Sequence, residues 1–92
     1  MKVHVKSFAN FRYILGSDLD IDLEQGSTVE DLLQSLTYSH KGLKSAIFDD
    51  AGEIRDHVIL LKNRKDIKHL EGLRTGLTEG DEVAILPPVT GG

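Results

Sequence analysis

The sequence predicts an α+β fold, a mixed sheet of four or five strands with one main helix packed across it. Three observations carry that expectation. The stretches Lys2 to Phe8 and Asp18 to Glu24 alternate apolar and polar residues with the period of two that a half-buried strand requires. Val29, Leu32, Leu33 and Leu36 then recur at the spacing of one helical face. A strand pattern returns at Glu82 to Leu86, so a hairpin, a helix and further strands follow one another, the order of a helix laid on one side of a sheet.

In the first strand Val3, Val5 and Ser7 share the inward face, opposite His4, Lys6 and Phe8. Phe11, Ile14 and Leu15 fit a short helical turn from Ala9 to Leu15, which Gly16 ends. The run Asp18 to Glu24 places Leu19, Ile21 and Leu23 on one face and carboxylates on the other, as in an antiparallel strand with one wet side. Ser27 and Glu30 have the spacing of a capping box at the start of the main helix. Leu43, Ala46 and Ile47 suggest a second, shorter helix before the turn Asp49-Asp50-Ala51-Gly52.

Ile54 and then Val58 to Leu61 are apolar on both faces, the pattern of a more central strand. Asn63 to Arg74 reads as a turn and loop, with a brief edge strand or helical turn around Asp66 to Leu70. The turn Thr78-Glu79-Gly80-Asp81 leads into the last strand. There, if Val83 and Ile85 face the helix, Ala84 and Leu86 face the other side of the sheet, where an apolar patch would be a docking surface.

Ninety-two residues suit one domain, here residues 1–86, followed by a tail over residues 87–92. The absence of cysteine excludes a disulfide framework, an iron–sulfur cluster and a Cys nucleophile within the chain, and fits a reducing cytoplasm. No apolar run resembles a signal peptide or a membrane span, and no membrane partner is expected. The formal net charge is −4 with acids and bases interspersed, so nucleic acid is not expected either. The basic cluster of Lys62, Arg64, Lys65 and Lys68 encloses Asp66 and reads as a solvated turn.

No reaction centre emerges from the body of the chain. His4, His40, His57 and His69 are dispersed and form no ligand motif, so no metal is expected. Asp18, Asp20 and Asp22 share one strand face and read as a solvated acidic edge that could also meet a basic partner surface. Gly76 to Gly80 lacks the Lys-Ser or Lys-Thr of a phosphate-binding loop, so ATP must be bound by another protein. What remains is the tail Pro87-Pro88-Val89-Thr90-Gly91-Gly92. Pro87 and Pro88 favour an extended exit from the body, while Gly91 and Gly92, without Cβ atoms, can thread a channel too narrow for other residues.

The order of elements resembles the ubiquitin-like β-grasp fold. Phe8-Ala9-Asn10-Phe11-Arg12 with Leu15-Gly16, Thr28-Val29 at the helix start, and Gly80-Asp81-Glu82-Val83-Ala84 running into the Gly-Gly tail resemble the small subunit of molybdopterin synthase. Gly52 to Asn63 is similar to the small archaeal modifier proteins, and the resemblance spans nearly the whole chain. It implies a carrier rather than an enzyme, with no cofactor of its own; the alternatives are a β-grasp interaction module that works by docking alone, its tail incidental, and a thiazole-pathway sulfur carrier. An activating enzyme of the ubiquitin-activating type, using ATP and magnesium, would adenylate the Gly92 carboxylate. A sulfur nucleophile would then leave a thiocarboxylate for the synthase large subunit, or a target lysine would form an isopeptide bond. By the same resemblance, Phe8 and Leu86 present apolar side chains to partners. Two departures accompany the match: Asn63 is followed by Arg64 where many relatives carry Gly, and the loop Asp66 to Leu77 is longer than in the shortest sulfur carriers, unlike the thiazole-pathway carrier.

Overall fold

The structure, a computed structural model, describes residues 1–87. Five strands form one sheet: β1 (Lys2–Ser7), β2 (Asp18–Asp22), β3 (Ile59–Lys62), β4 (Lys65–Asp66) and β5 (Glu82–Leu86), in the order β2-β1-β5-β3-β4. β1 and β5 run parallel, and the other neighbours are antiparallel. Three helices complete the fold, α1 (Asn10–Leu15) between β1 and β2, then α2 (Val29–Ser39) and α3 (Leu43–Ile47). The mixed sheet and its main helix are those the sequence predicts.

Alternation decides which side of the sheet becomes the core. Val3 and Val5 on β1, Leu60 on β3, and Val83 and Ile85 on β5 are buried with Val29, Leu32, Leu33 and Leu36, the apolar stripe of α2. Phe11 from α1 and Leu43 and Ile47 from α3 close the same cluster. Side chains between those positions on the strands project to the opposite, open face.

Three local expectations need correction. The capping box is formed by Thr28 and Asp31, not Ser27 and Glu30: the Asp31 carboxylate accepts from the Thr28 N–H at 2.9 Å, and the Thr28 hydroxyl accepts from the Asp31 N–H at 3.3 Å. The register shifts because the Ser27 carbonyl accepts the Leu77 N–H and Thr28, in extended backbone, bridges Gly76. Helix α2 therefore starts one residue later. The third strand is shorter than expected and lies between β5 and the short edge β4. Ile54 pairs instead with Phe48, and the Val58 N–H bonds the Arg55 carbonyl in a turn that separates Ile54 from Ile59. Phe8 lies just beyond β1 rather than within it.

The segment after Lys62 contains both alternatives that the pattern allowed, the brief edge strand β4 and then a 3₁₀ turn over Ile67–His69. Lys62 and Lys65 pair across Asn63 and Arg64, whose φ values of 49° and 74° give the left-handed pair of a tight hairpin.

Candidate functional site

Strand β5 carries the chain from the core to the tail. Val83 and Ile85 are fully buried, fixing the strand from one side, while Ala84 and Leu86 lie on the open face. The sheet register aligns Lys6, Ala84 and Leu61 in one row and Leu86 with Ile59 in the next. Phe8 extends the parallel ladder one step past β1 by donating its N–H to the Ile85 carbonyl at 3.1 Å. Phe8 is 40% exposed, although a Phe side chain gains most from complete burial.

Phe8, Leu61, Ala84 and Leu86 thus form the floor of a shallow groove of about 250 Å³, with Lys6, Glu82 and Arg64 at its charged rim. Lys6 and Glu82 approach within 3.8 Å. Pro87 follows Leu86 directly and is half-buried, so the base of the tail stands at this groove. Pro88, Gly91 and Gly92 lie outside the described residues.

Backbone strain is concentrated around the same groove. Among the described residues, the non-glycine residues with positive φ are Ala9, Asn63 and Arg64. Ala9 adjoins Phe8, and Arg64 is on the rim. A β-carbon makes such conformations costly, so surrounding contacts must hold them. For Asn63 those contacts are explicit: its side-chain N–H donates to Asp81 Oδ1, and its side-chain oxygen accepts the Glu82 N–H, both at 2.9 Å. Asp81 Oδ2 also accepts the Thr78 N–H at 2.8 Å and lies 3.7 Å from Lys62 Nζ. Burial alone would push the Asp81 carboxyl up, but the Asn63 amide, Thr78 and the Lys62 charge together hold it below the ordinary carboxylate value. This clamp ties the β3–β4 turn to the start of β5.

The other flank of the open face is polar. Lys2, His4 and Lys6 on β1 stand opposite Asp22, Asp20 and Asp18 on β2. His4 bridges two of those carboxylates, with Nδ1 at 2.7 Å from Asp20 and Nε2 at 2.9 Å from Asp18. The two hydrogen bonds, to Asp20 and then Asp18, raise the imidazole above its ordinary value. Among the described residues no group of three or more His, Asp or Glu is arranged to hold a metal ion, and no helix is long and apolar enough to cross a membrane. A larger groove of about 430 Å³ lies on the helical side, lined in part by Tyr38 of α2 and Lys44 of α3. It is separate from the end of β5.

Phe8 and Leu86, expected from the resemblance, come together in the groove. Leu61, Arg64 and Glu82 join them through strand pairings that the sequence pattern did not register. The His4 bridge was also missed; its signal was the matching alternation of basic residues on β1 and acids on β2.

Comparison with known proteins places this arrangement. A model described as the ThiS family matches residues 5–92, nearly the full chain. The chain belongs to the ThiS family. The Asp66 to Leu77 segment, expected to weaken the likeness to the thiazole-pathway carrier, lies within that match. Small archaeal modifier protein 3 of Haloferax volcanii is 38% identical over 93 residues, covering 100% of both chains. The molybdopterin synthase sulfur carrier subunit of Drosophila yakuba is also 38% identical over 93 residues, covering 100% of this chain and 92% of that one. The crystal structure of small archaeal modifier protein 1 from Haloferax volcanii matches with a TM-score of 0.85 at 34% identity, covering 100% of both chains. The chain is thus a ubiquitin-like β-grasp protein of the sulfur-carrier and modifier type, and not an enzyme.

Proposed function

We propose that this carrier acts through the Gly92 carboxylate, which a ubiquitin-activating-type enzyme adenylates with ATP and magnesium. A carboxylate is a poor electrophile. Its oxygen attacks the α-phosphate of ATP with loss of pyrophosphate, and AMP then becomes a leaving group that sulfur or an amine can displace. With a persulfide as the sulfur source, its terminal sulfur displaces AMP to form an acyl disulfide, and a second thiol cleaves that S–S bond, leaving a disulfide and a thiocarboxylate on Gly92, a donor for the large subunit of a molybdopterin synthase. With a target lysine, the product is an isopeptide bond. The relatives include proteins named for each role, and both fates use the same activated terminus. We place the reaction in the cytoplasm, where a cysteine-free carrier suits the reducing environment.

The observation that carries this reading is the exit of β5 beside Phe8. Core burial of Val83 and Ile85 fixes the strand, and its next residues, Leu86 and Pro87, stand at an apolar groove on the open face. A partner seated on Phe8 and Leu86 is thereby placed at the root of the tail. By their chemistry Pro87 and Pro88 favour an extended backbone, and a glycine at position 91 suits passage through a narrow channel.

Intact-mass measurement tests the proposal directly. The full chain is incubated with an activating enzyme of this type, ATP, magnesium, a persulfide donor and a thiol reductant, and replacement of one oxygen by sulfur at Gly92 is expected. An unchanged mass with no adenylate or adduct would overturn it. Deletion of Gly92 should abolish the modification and leave the thermal unfolding curve in place.

A further inference from the structure

We propose that the outer edge of β2 is a second docking site, which takes an extended segment of another protein in which basic and apolar residues alternate. β2 ends the sheet. Its pairing with β1 fixes which backbone groups face outward. Met1 and Leu23 exchange hydrogen bonds, the Leu23 N–H donating to Met1 at 2.8 Å and the Met1 nitrogen to Leu23 at 2.6 Å, and Ser7 donates to the Ser17 carbonyl at 3.1 Å. In an antiparallel ladder such bonded pairs recur every second residue, so Leu19 and Ile21 also turn their backbone groups toward β1. The N–H and C=O groups of Asp18, Asp20 and Asp22 therefore point away from the sheet. No backbone hydrogen bond beyond the β1 ladder reaches them among the described residues.

The side chains state what kind of strand fits there. Asp18, Asp20 and Asp22 are exposed on the open face, while Leu19 and Ile21, on the other face, are only half-buried and pack at the margin of the core. His4 engages Oδ1 of Asp18 and of Asp20, and neither Oδ2 has a partner among the described residues. An incoming strand bonded to the backbone of the three aspartates puts its own facing residues beside their carboxylates. Its intervening residues then fall beside Leu19 and Ile21.

The fold already contains such a partner on the inner edge of β2. There Lys2-Val3-His4-Val5-Lys6 sets cations against Asp22, Asp20 and Asp18 and valines beside Ile21 and Leu19. The outer edge offers the same carboxylates and the same apolar row to a second strand of that chemistry. Acidic segments are disfavoured, including β2 of another copy, because like charges would stand directly opposite. β2 lies two strands from β5, about 10 Å at ordinary strand spacing, so a segment bound there leaves Leu86 and Pro87 uncovered.

The test uses the full ¹⁵N-labelled chain and a capped peptide, Gly-Lys-Val-Lys-Val-Lys-Gly. Saturable amide shifts confined to β2 and its neighbours are expected, with slowed hydrogen exchange at Asp20 and Asp22. A peptide methylated on the backbone nitrogen of the central lysine should bind about tenfold more weakly, as should the D20K/D22K double variant, each tenfold being about 1.4 kcal/mol. Undiminished binding of the methylated peptide would reduce the effect to loose charge attraction and overturn the proposal. Equal binding of the glutamate analogue, or shifts centred on Phe8 and Leu86, would overturn it as well, and so would failure to saturate.

Discussion

The two flanks of the open face are held in place by different means. On the β1–β2 flank, exposed charges meet across the strands, and side chains supply the geometry while the backbone is relaxed. On the β5–β3 flank, apolar side chains occupy the surface and the backbone bears the strain, at Ala9, Asn63 and Arg64. A buried carboxylate, Asp81, anchors that strain at Asn63. The contrast separates a flank that adjusts with pH and salt from one whose apolar surface is held by a strained backbone beside Pro87.

The largest effect is expected where the strained flank is anchored. Asn63→Ala removes both side-chain bonds to Asp81 and Glu82 and leaves the Asp81 carboxylate buried with fewer donors. Loss of donors to a buried charged group predicts destabilisation of about 2–4 kcal/mol, read by denaturant unfolding. Asp22→Ala on the other flank, an exposed position, should stay within about 0.5 kcal/mol. Equal costs at the two sites would erase the distinction.

Next comes the apolar surface itself. Phe8→Asp keeps the fold, because the residue is already 40% exposed, but puts a charge where the proposed partner would have to lose water. About tenfold or more loss of adenylation is expected, with a shift of only a few degrees in Tm. If Asp20→Ala on the polar flank lowered adenylation as much, the activating enzyme would read both flanks alike.

These flanks were unequally legible in the sequence. Local periodicity exposed α2 and the inward face of β1, because Val29, Leu32, Leu33 and Leu36 need no distant contact to reveal their stripe. Phe8 and Leu86 were reachable through family resemblance and, for Leu86, through alternation along β5. Leu61 and Arg64 were not, since their place in the groove depends on how β3 registers against β5. The cap moved from Ser27 to Thr28 for a similar reason: a bond from distant Leu77 outweighed the local spacing. Where local pattern and tertiary pairing compete, pairing chooses the residue.

A smaller effect follows from Arg64, which at a φ of 74° occupies a conformation that glycine adopts freely. Arg64→Gly should raise stability by about 1 kcal/mol in thermal or denaturant unfolding, since the left-handed penalty on a β-carbon disappears. The same change should weaken docking of an acidic partner surface at the groove rim, seen as a higher KM for the carrier in adenylation. Added stability with an unchanged KM would show that the arginine is tolerated there without serving contact.

The smallest effect belongs to His4, and its sign distinguishes the polar flank. Hydrogen bonds to Asp20 and then Asp18 favour the imidazolium and raise its folded pKa above the unfolded value near 6.5. The folded state then binds the proton more tightly than the unfolded chain. The stabilisation is complete below about pH 6.5 and is lost as pH rises through the higher folded value. Its size should stay under about 1 kcal/mol, because the pair is open to solvent and screened by salt. Unfolding curves from pH 5.5 upward should show the decline in the parent chain, less of it in high salt, and a flatter profile in His4→Gln. A stability that rose through this interval, or an identical profile in the variant, would show that the two aspartates do not hold the imidazolium, and the polar flank would lose its claim to be the pH-responsive side of the sheet.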